Sequence, residues 1–180
     1  MSSSQQAYKA LVDLSRLCRR SSKGLPAQVD IRSQWSGVGF SLLGQFFVAP
    51  MGEVTEMLEV PSFTRLPGVM PWVKGVANVR GRLLPLFDMG NFFGGRLGGQ
   101  RKQRRVLILE SGDIYTGLEV DQVFGMKHFP IDTYSEQNIH ASEAIKPFTQ
   151  GSYELDGQRW TLFSPAMLAL DDRFANAAAG

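Results

Sequence analysis

The sequence predicts a mainly β protein built from two copies of one small unit. Nineteen glycines and nine prolines in 180 residues indicate many turns and many short strands. Short apolar runs bounded by turn residues recur along the chain, and two stretches of it align with each other without a gap. Hydrophobic residues make up 43% of the chain and charged residues 20%, so the chain can bury a core.

Residues 1–34 are expected to form a helix and a linker that precede the β units. Between Tyr8 and Cys18 the apolar residues recur near the helical period, and the basic Arg19 and Arg20 suit the C-terminal end of a helix. The stretch SSKGLPAQ that follows is typical of a linker. We expect this helix to pack on the body of the protein; a membrane-surface helix or a contact with a partner is the alternative.

The first β unit is expected over about residues 35–95. Its apolar runs predict a hairpin with a turn at Gly44, a third strand EVTEMLEV, and a second hairpin around the turn RGR. In the third strand Val54 and Glu56 are expected on one face, because side chains alternate along a strand. Asp88 is positioned to cap a short helix, MGNFF.

The second β unit is expected over about residues 104–172. It repeats the order of two strands, a third strand and a closing hairpin. Along the strand IYTGLEVD, Glu119 and Asp121 are expected to point away from the apolar face. Ser164 as N-cap and Pro165 at the first helical position predict a C-terminal helix. Residues 173–180 are expected to form a fraying tail.

The connection between the units, residues 94–105, reads GGRLGGQRKQRR. It contains five basic residues and shows no apolar period, so it is predicted to be a solvated loop that the fold does not need.

The internal repeat aligns residues 71–88 with residues 147–164. Each copy of the unit spans about 65 to 70 residues, which is small for an independent core, so we expect the two copies to pack on each other. The matched positions are Pro71 with Pro147, Trp72 with Phe148, Gly75 with Gly151, Gly81 with Gly157, Leu86 with Leu162, Phe87 with Phe163, and Asp88 with Ser164.

The composition argues against several kinds of chemistry. A single cysteine, Cys18, excludes an intrachain disulfide, and with only His128 and His140 the chain cannot supply an ordinary zinc site without several carboxylates. No nucleophile elbow and no phosphate-binding loop occur, so we predict no enzyme, cofactor or metal; a hydrolase with dispersed polar residues stays open. The absence of a signal peptide and of a long apolar stretch predicts a soluble, cytoplasmic protein.

The charge balance does not indicate a polyanionic ligand. Nineteen basic and 17 acidic residues give a net charge of +2. The basic run from Arg101 to Arg105 nevertheless leaves one alternative open, a small β-barrel protein that binds single-stranded nucleic acid.

The stretch GVANVRGRLLPLFD carries a family resemblance. Together with the third strand and the duplicated unit, it resembles the CheW-like family of chemosensory coupling proteins over about residues 35–172. The positions that match the family motif are Gly75, Val76, Asn78, Arg80, Gly81, Pro85 and Asp88. The extension over residues 6–34 is similar to the version of the family that serves type IV pilus twitching arrays.

The resemblance implies two SH3-like, five-stranded β-barrel subdomains packed on a shared core, and no catalysis. It implies an adaptor that bridges the cytoplasmic tip of a methyl-accepting chemoreceptor and a CheA-type histidine kinase. Such a protein is expected in the cytoplasm, associated with membrane-bound receptor arrays, without a cofactor, nucleic acid or membrane insertion.

The resemblance also implies a partner-binding site. In the family an acidic residue of the third strand pairs with the arginine of the N-x-R-G turn. Carried over to this chain, Val54, Glu56, Arg80 and Gly81 are expected at the surface that contacts the receptor. We therefore expect an ion pair between Glu56 and Arg80 that fixes a protein-binding surface and does no chemistry.

Overall fold

The computed structural model describes residues 33–111, 114–136 and 142–177. The chain divides into two units, residues 1–32 and residues 33–180. The predicted N-terminal helix and linker lie almost entirely in the first unit and outside the described residues. All of the elements below belong to the second unit.

The described residues form two five-stranded sheets, which confirms the predicted mainly β fold. The strand order is β8-β1-β2-β10-β9 in the first sheet and β3-β6-β7-β5-β4 in the second. The strands are β1 Gln34–Leu42, β2 Gln45–Pro50, β3 Val54–Glu59, β4 Val73–Val79, β5 Arg82–Asp88, β6 Arg105–Ser111, β7 Ile114–Val120, β8 Gln122–Pro130, β9 Thr149–Leu155 and β10 Gln158–Phe163.

In the described residues three short α-helices follow the hairpins: α1 Met89–Phe92, α2 Pro165–Ala169 and α3 Asp172–Ala175. As expected, Asp88 caps α1 and Ser164 caps α2, each through a side-chain oxygen that accepts a backbone N–H. The tail expected from residue 173 is wrong for its first residues. Asp171 caps α3, and Phe174 is buried, with its ring centroid 4.6 Å from that of Phe87.

The strands are exchanged between the two halves of the chain. β1 and β2 pair with β8 and β10, whereas β3 and β5 pair with β6 and β7. The division into consecutive subdomains, residues 35–95 and 104–172, therefore does not describe the sheets. Alternation of side chains identifies a strand and its faces, but it does not specify the strand's partner.

The internal repeat is visible in the backbone. Thr64 and Val76 exchange two hydrogen bonds of 2.9 Å, and Ser135 and Ser152 exchange two of 2.8 Å at the matching place in the second copy. The neighbouring glycines, Gly75 and Gly151, both have positive φ angles, 143° and 149°. A Cβ on Gly75 would lie 2.0 Å from the Thr64 carbonyl oxygen, so the bridge requires glycine there.

The main core is shared by the two sheets. Phe40 and Phe47 from the first sheet and Leu107 and Leu118 from the second belong to one buried cluster. Each sheet also contributes most of a smaller cluster of its own, around Trp160 in the first sheet and around Val106, Ile108, Leu84 and Leu86 in the second. This arrangement agrees with two small barrels packed on a common core.

The connection over residues 94–105 is not a freely solvated loop. Leu97 is 7% exposed and belongs to the shared core, and Gly98 donates its N–H to Asp121 Oδ1 at 2.6 Å. Glu119 on β7 and Asp121, which follows the strand, are both buried. The prediction that the fold does not need this segment is therefore contradicted, because one leucine and two buried carboxylates attach it to the body.

Candidate functional site

A two-residue turn joins β4 and β5 at Arg80 and Gly81. Their φ angles are 53° and 82°, the pattern of the type I′ turn that suits the twist of a hairpin. Asn78 Oδ1 accepts a hydrogen bond from the Gly81 N–H at 2.9 Å and ties the turn to the end of β4. The N-x-R-G sequence therefore builds a tight, fixed turn, with glycine at one of the two positions that need a positive φ.

Arg80 donates from Nη2 to Glu56 Oε1 at 2.7 Å. Glu56 lies on β3 and Arg80 follows β4, and these are the two edge strands of the second sheet. The ion pair thus connects opposite edges of one sheet and helps to close it as a barrel. The side chain of Arg80 is 78% exposed and that of Glu56 is 30% exposed, so the pair itself contributes only about 0.2 to 1 kcal/mol to folding.

Val54 lies on the same strand but in a different environment. Its register partner on β6 is Leu109, whereas that of Glu56 is Ile108, and the pairing is irregular between the two positions. An irregularity of this kind interrupts the alternation of side chains. Val54 consequently packs against the shared core, and the expectation that it shares a face with Glu56 is not met. The structure brings together Glu56, Arg80 and Gly81, whereas Val54 is partly buried against the shared core.

Sequence reasoning did not single out the residues next to the turn. Arg82 donates to Glu110 Oε1 at 2.8 Å, and its guanidinium carbon lies 3.7 Å from the centroid of the Tyr115 ring. Leu83 is 71% exposed. We define Glu56, Arg80, Gly81, Arg82 and Leu83 as the Arg80 surface, a mixture of charge and exposed apolar area that is typical of protein interfaces. The sequence signal that could have identified Arg82 is its place in the RGR turn.

Metal-binding geometry is missing from the described part of the chain. Residues 33–111, 114–136 and 142–177 contain no group of three or more histidine, cysteine or acidic side chains placed to hold a metal ion. His128 is exposed and forms a hydrogen bond with Ser36, with Nδ1 2.7 Å from Ser36 Oγ. Within the same ranges no helix has the length and apolar character needed to cross a membrane.

The two sheets, the shared core and the N-x-R-G turn define a known class of protein. Residues 36–172 match the CheW-like domain, and the chain belongs to that family. The resemblance stated from the motif is thereby confirmed.

Individual relatives narrow the comparison. The chain is 52% identical over 178 residues to Protein PilI of Pseudomonas aeruginosa, covering 99% of both proteins. It is 28% identical over 86 residues to the chemotaxis protein CheW of Helicobacter pylori, covering 48% of this chain and 52% of that protein. The crystal structure of the scaffolding protein TtCheW from Thermoanaerobacter tengcongensis shares the fold, with a TM-score of 0.66 and 23% identity over 78% of this chain and 95% of that chain.

Proposed function

We propose that the protein is a non-enzymatic adaptor that couples a methyl-accepting chemoreceptor to a CheA-type histidine kinase. The observation that carries the proposal is the Arg80–Glu56 ion pair, built at the turn where the family motif places it and exposed on the surface. The role of Val54, Glu56, Arg80 and Gly81 in binding the partner is part of the proposal.

The geometry suits recognition of a protein. The guanidinium group carries five N–H donors in a planar fork, and one of its nitrogens is engaged by Glu56. Since the Arg80 side chain is 78% exposed, its other donors are accessible to a carboxylate or a carbonyl of a partner. The type I′ turn and the pair with Glu56 hold the group in place before binding, which lowers the entropy lost on association.

The proposal extends to the setting in which the adaptor works. We place the protein in the cytoplasm at membrane-bound receptor arrays, without cofactor, nucleic acid or membrane insertion, in a system that controls type IV pilus twitching motility. The 52% identity with Protein PilI over almost the whole chain supports this assignment.

Reconstitution tests the proposal. The full-length protein is mixed with a CheA-type kinase and a receptor cytoplasmic fragment from the same organism, and complexes are resolved by sedimentation. We expect the protein to bind each component and to raise the amount of kinase that sediments with the receptor fragment. Failure to bind either component, with the fold confirmed by circular dichroism, would show that the proposed coupling is wrong.

A further inference from the structure

The basic run near the start of β6 is an ordered part of the surface. Residues 101–103 form a 3-10 turn that begins after Gln100, and Gln103 Oε1 reaches back to the Gln100 N–H at 3.4 Å. Arg105 donates from Nη1 to the Lys102 and Arg104 carbonyl oxygens, both at 2.8 Å. The Arg105 side chain is therefore held by backbone contacts, and Arg101 and Lys102 project from an ordered 3-10 turn.

Two buried carboxylates attach this segment to the body. Asp121 accepts from the N–H of Gly98 at 2.6 Å and from that of Gly44 at 3.2 Å. Glu119, which is 1% exposed, forms ion pairs with Lys74 and with Arg104, whose Nη1 lies 3.5 Å from Glu119 Oε1. The Arg104 guanidinium also donates to the Leu97 carbonyl oxygen at 3.0 Å. The segment is held on both sides of the 3-10 turn.

The segment presents a concentrated positive charge. A shallow hollow of about 350 Å³ is lined by Arg101, Lys102, Arg104 and Arg105, together with Glu59 and Val60. We call these four basic residues the basic surface. Arg101 and Lys102 are exposed, and the Glu59 carboxylate is 3.7 Å from Arg105 but 86% exposed. Glu119 offsets the charge of Arg104 and Glu59 lies beside Arg105, so Arg101 and Lys102 supply the exposed positive charge of the basic surface.

We propose that the basic surface binds an acidic segment, a run of Asp and Glu side chains, of a partner protein. Carboxylates match the forked donors of arginine, and charge-assisted hydrogen bonds between them are stronger than neutral ones. Because the backbone of the 3-10 turn and the side chains of Arg104 and Arg105 are ordered in advance, less entropy is lost on binding than a mobile loop would lose. The site is distinct from the Arg80 surface and does not depend on the identity of the partners proposed above.

The structure favours a peptide over single-stranded nucleic acid. Proteins that bind single strands combine a cationic groove with aromatic side chains on which bases stack. The described residues that line the hollow include no aromatic side chain. The basic side chains provide positive charge and hydrogen-bond donors, and the carboxylates of an acidic peptide complement both.

Fluorescence anisotropy with a labelled decaglutamate peptide tests the proposal on the full-length protein. The test variant is Arg101→Gln with Lys102→Gln, and the matched control is Arg65→Gln with Arg159→Gln, which removes the same charge elsewhere. At low salt we expect the peptide to bind the wild type and to bind the test variant about tenfold more weakly, equivalent to about 1.4 kcal/mol. The control variant and Arg80→Glu should stay within about twofold of the wild type.

Amide chemical shifts of the wild-type protein, titrated with the same peptide, provide a readout that needs no variant. The largest shifts are expected at residues 98–105. Equal affinity of the wild type and the test variant, or shifts centred elsewhere, would overturn the proposal. Tighter binding of a ten-residue oligothymidine than of the peptide would also overturn it and would assign the surface to nucleic acid. Unchanged peptide binding by Arg80→Glu keeps this result separate from any failure of the adaptor proposal.

Discussion

Arg80 and Asp156 occupy the same position in the two copies of one hairpin turn. Both have a φ angle of 53°, and each is followed by a glycine with positive φ, 82° at Gly81 and 73° at Gly157. The backbone is thus the same in both copies, while the charge of the exposed side chain is opposite. A left-handed backbone is unfavourable for most residues other than glycine, asparagine and aspartate, so arginine at this place is locally strained. Strain of this kind tends to accumulate at functional sites.

Replacing Arg80 with Asn should distinguish the contribution of the guanidinium group to binding from the contribution of the turn to stability. Asparagine followed by glycine is well suited to a type I′ turn, and the ion pair that is lost is exposed. We expect the free energy of unfolding in urea to change by less than about 0.5 kcal/mol and the affinity for a receptor cytoplasmic fragment to fall. The matched variant Asp156→Asn should leave both quantities unchanged, and a similar loss of binding in it would indicate a general effect on the hairpins.

Exchanging the charges of Arg80 and Glu56 should test the pair itself. Arg80→Glu places two carboxylates together, and we expect the fold to persist while the affinity for the receptor fragment falls about tenfold or more, about 1.4 kcal/mol. The double variant Glu56→Arg with Arg80→Glu should recover part of the loss. Isothermal titration calorimetry of the wild type, Arg80→Glu and the double variant against the receptor fragment measures these affinities. Wild-type affinity in a folded Arg80→Glu protein is the outcome that contradicts the role of the pair.

Leu97→Ala should destabilise the protein clearly, although Leu97 lies in a glycine-rich connection. The side chain is 7% exposed and belongs to the shared core, and leucine to alanine changes in cores cost about 2 to 5 kcal/mol. The exposed neighbour Arg96, changed to Ala, should alter stability by less than about 0.5 kcal/mol. Equal urea midpoints for the two variants would show that the segment does not contribute to the core.

Glu119→Gln should be among the most destabilising polar substitutions. The change leaves Lys74 and Arg104 without their buried counter-charge, and breaking a buried ion pair costs about 3 to 5 kcal/mol. The side chains of the two cations are 17% and 22% exposed, so we expect a loss near the lower end of that range. Glu110→Gln, which removes the exposed partner of Arg82, is the control and should cost less than about 1 kcal/mol. Urea denaturation of both variants provides the comparison.

Asp171 should make the stability of the C-terminal region depend on pH. Its side-chain hydrogen bonds with Arg173 hold the pKa of the carboxyl below its ordinary value of 3.8, and hydrogen bonds from the Arg173 and Phe174 N–H groups add to this. Because the folded pKa is the lower one, the stabilisation is complete above pH 3.8 and is lost as the pH falls through the folded pKa. Thermal melts should show Asp171→Asn less stable than the wild type at neutral pH, with the difference shrinking in acid. In an Arg173→Ala background this pH-dependent difference should be much reduced.

Local features of the fold could be predicted from the sequence, whereas the long-range pairing could not. The turns at Gly44 and Gly81 and the caps at Asp88 and Ser164 depend on residues close in sequence, and all of them are present. The exchange of strands depends on which edges meet in space. Leu97 was missed because a single buried leucine in a polar segment has no period to reveal it.

The candidate site likewise contains features that could be predicted from the sequence and features that could not. The motif spacing pointed to the contact between Arg80 and Glu56, because the family supplied the partner strand. The irregular pairing beside Val54 and the burial of Glu119 have no signature in a single sequence. In both cases the environment of the side chain is set by a neighbouring segment.

The exchange of strands has a consequence for synthesis on the ribosome. The first two strands emerge early, but Phe47 on β2 pairs with Thr161 on β10, about 110 residues later in the chain. At translation rates of about 5 to 20 residues per second, that edge of the nascent hairpin waits about 6 to 22 seconds for its partner. During this interval Phe47, fully buried in the finished protein, belongs to an incomplete sheet. Chaperones that hold apolar segments should therefore act on this chain mainly while its second half is being made.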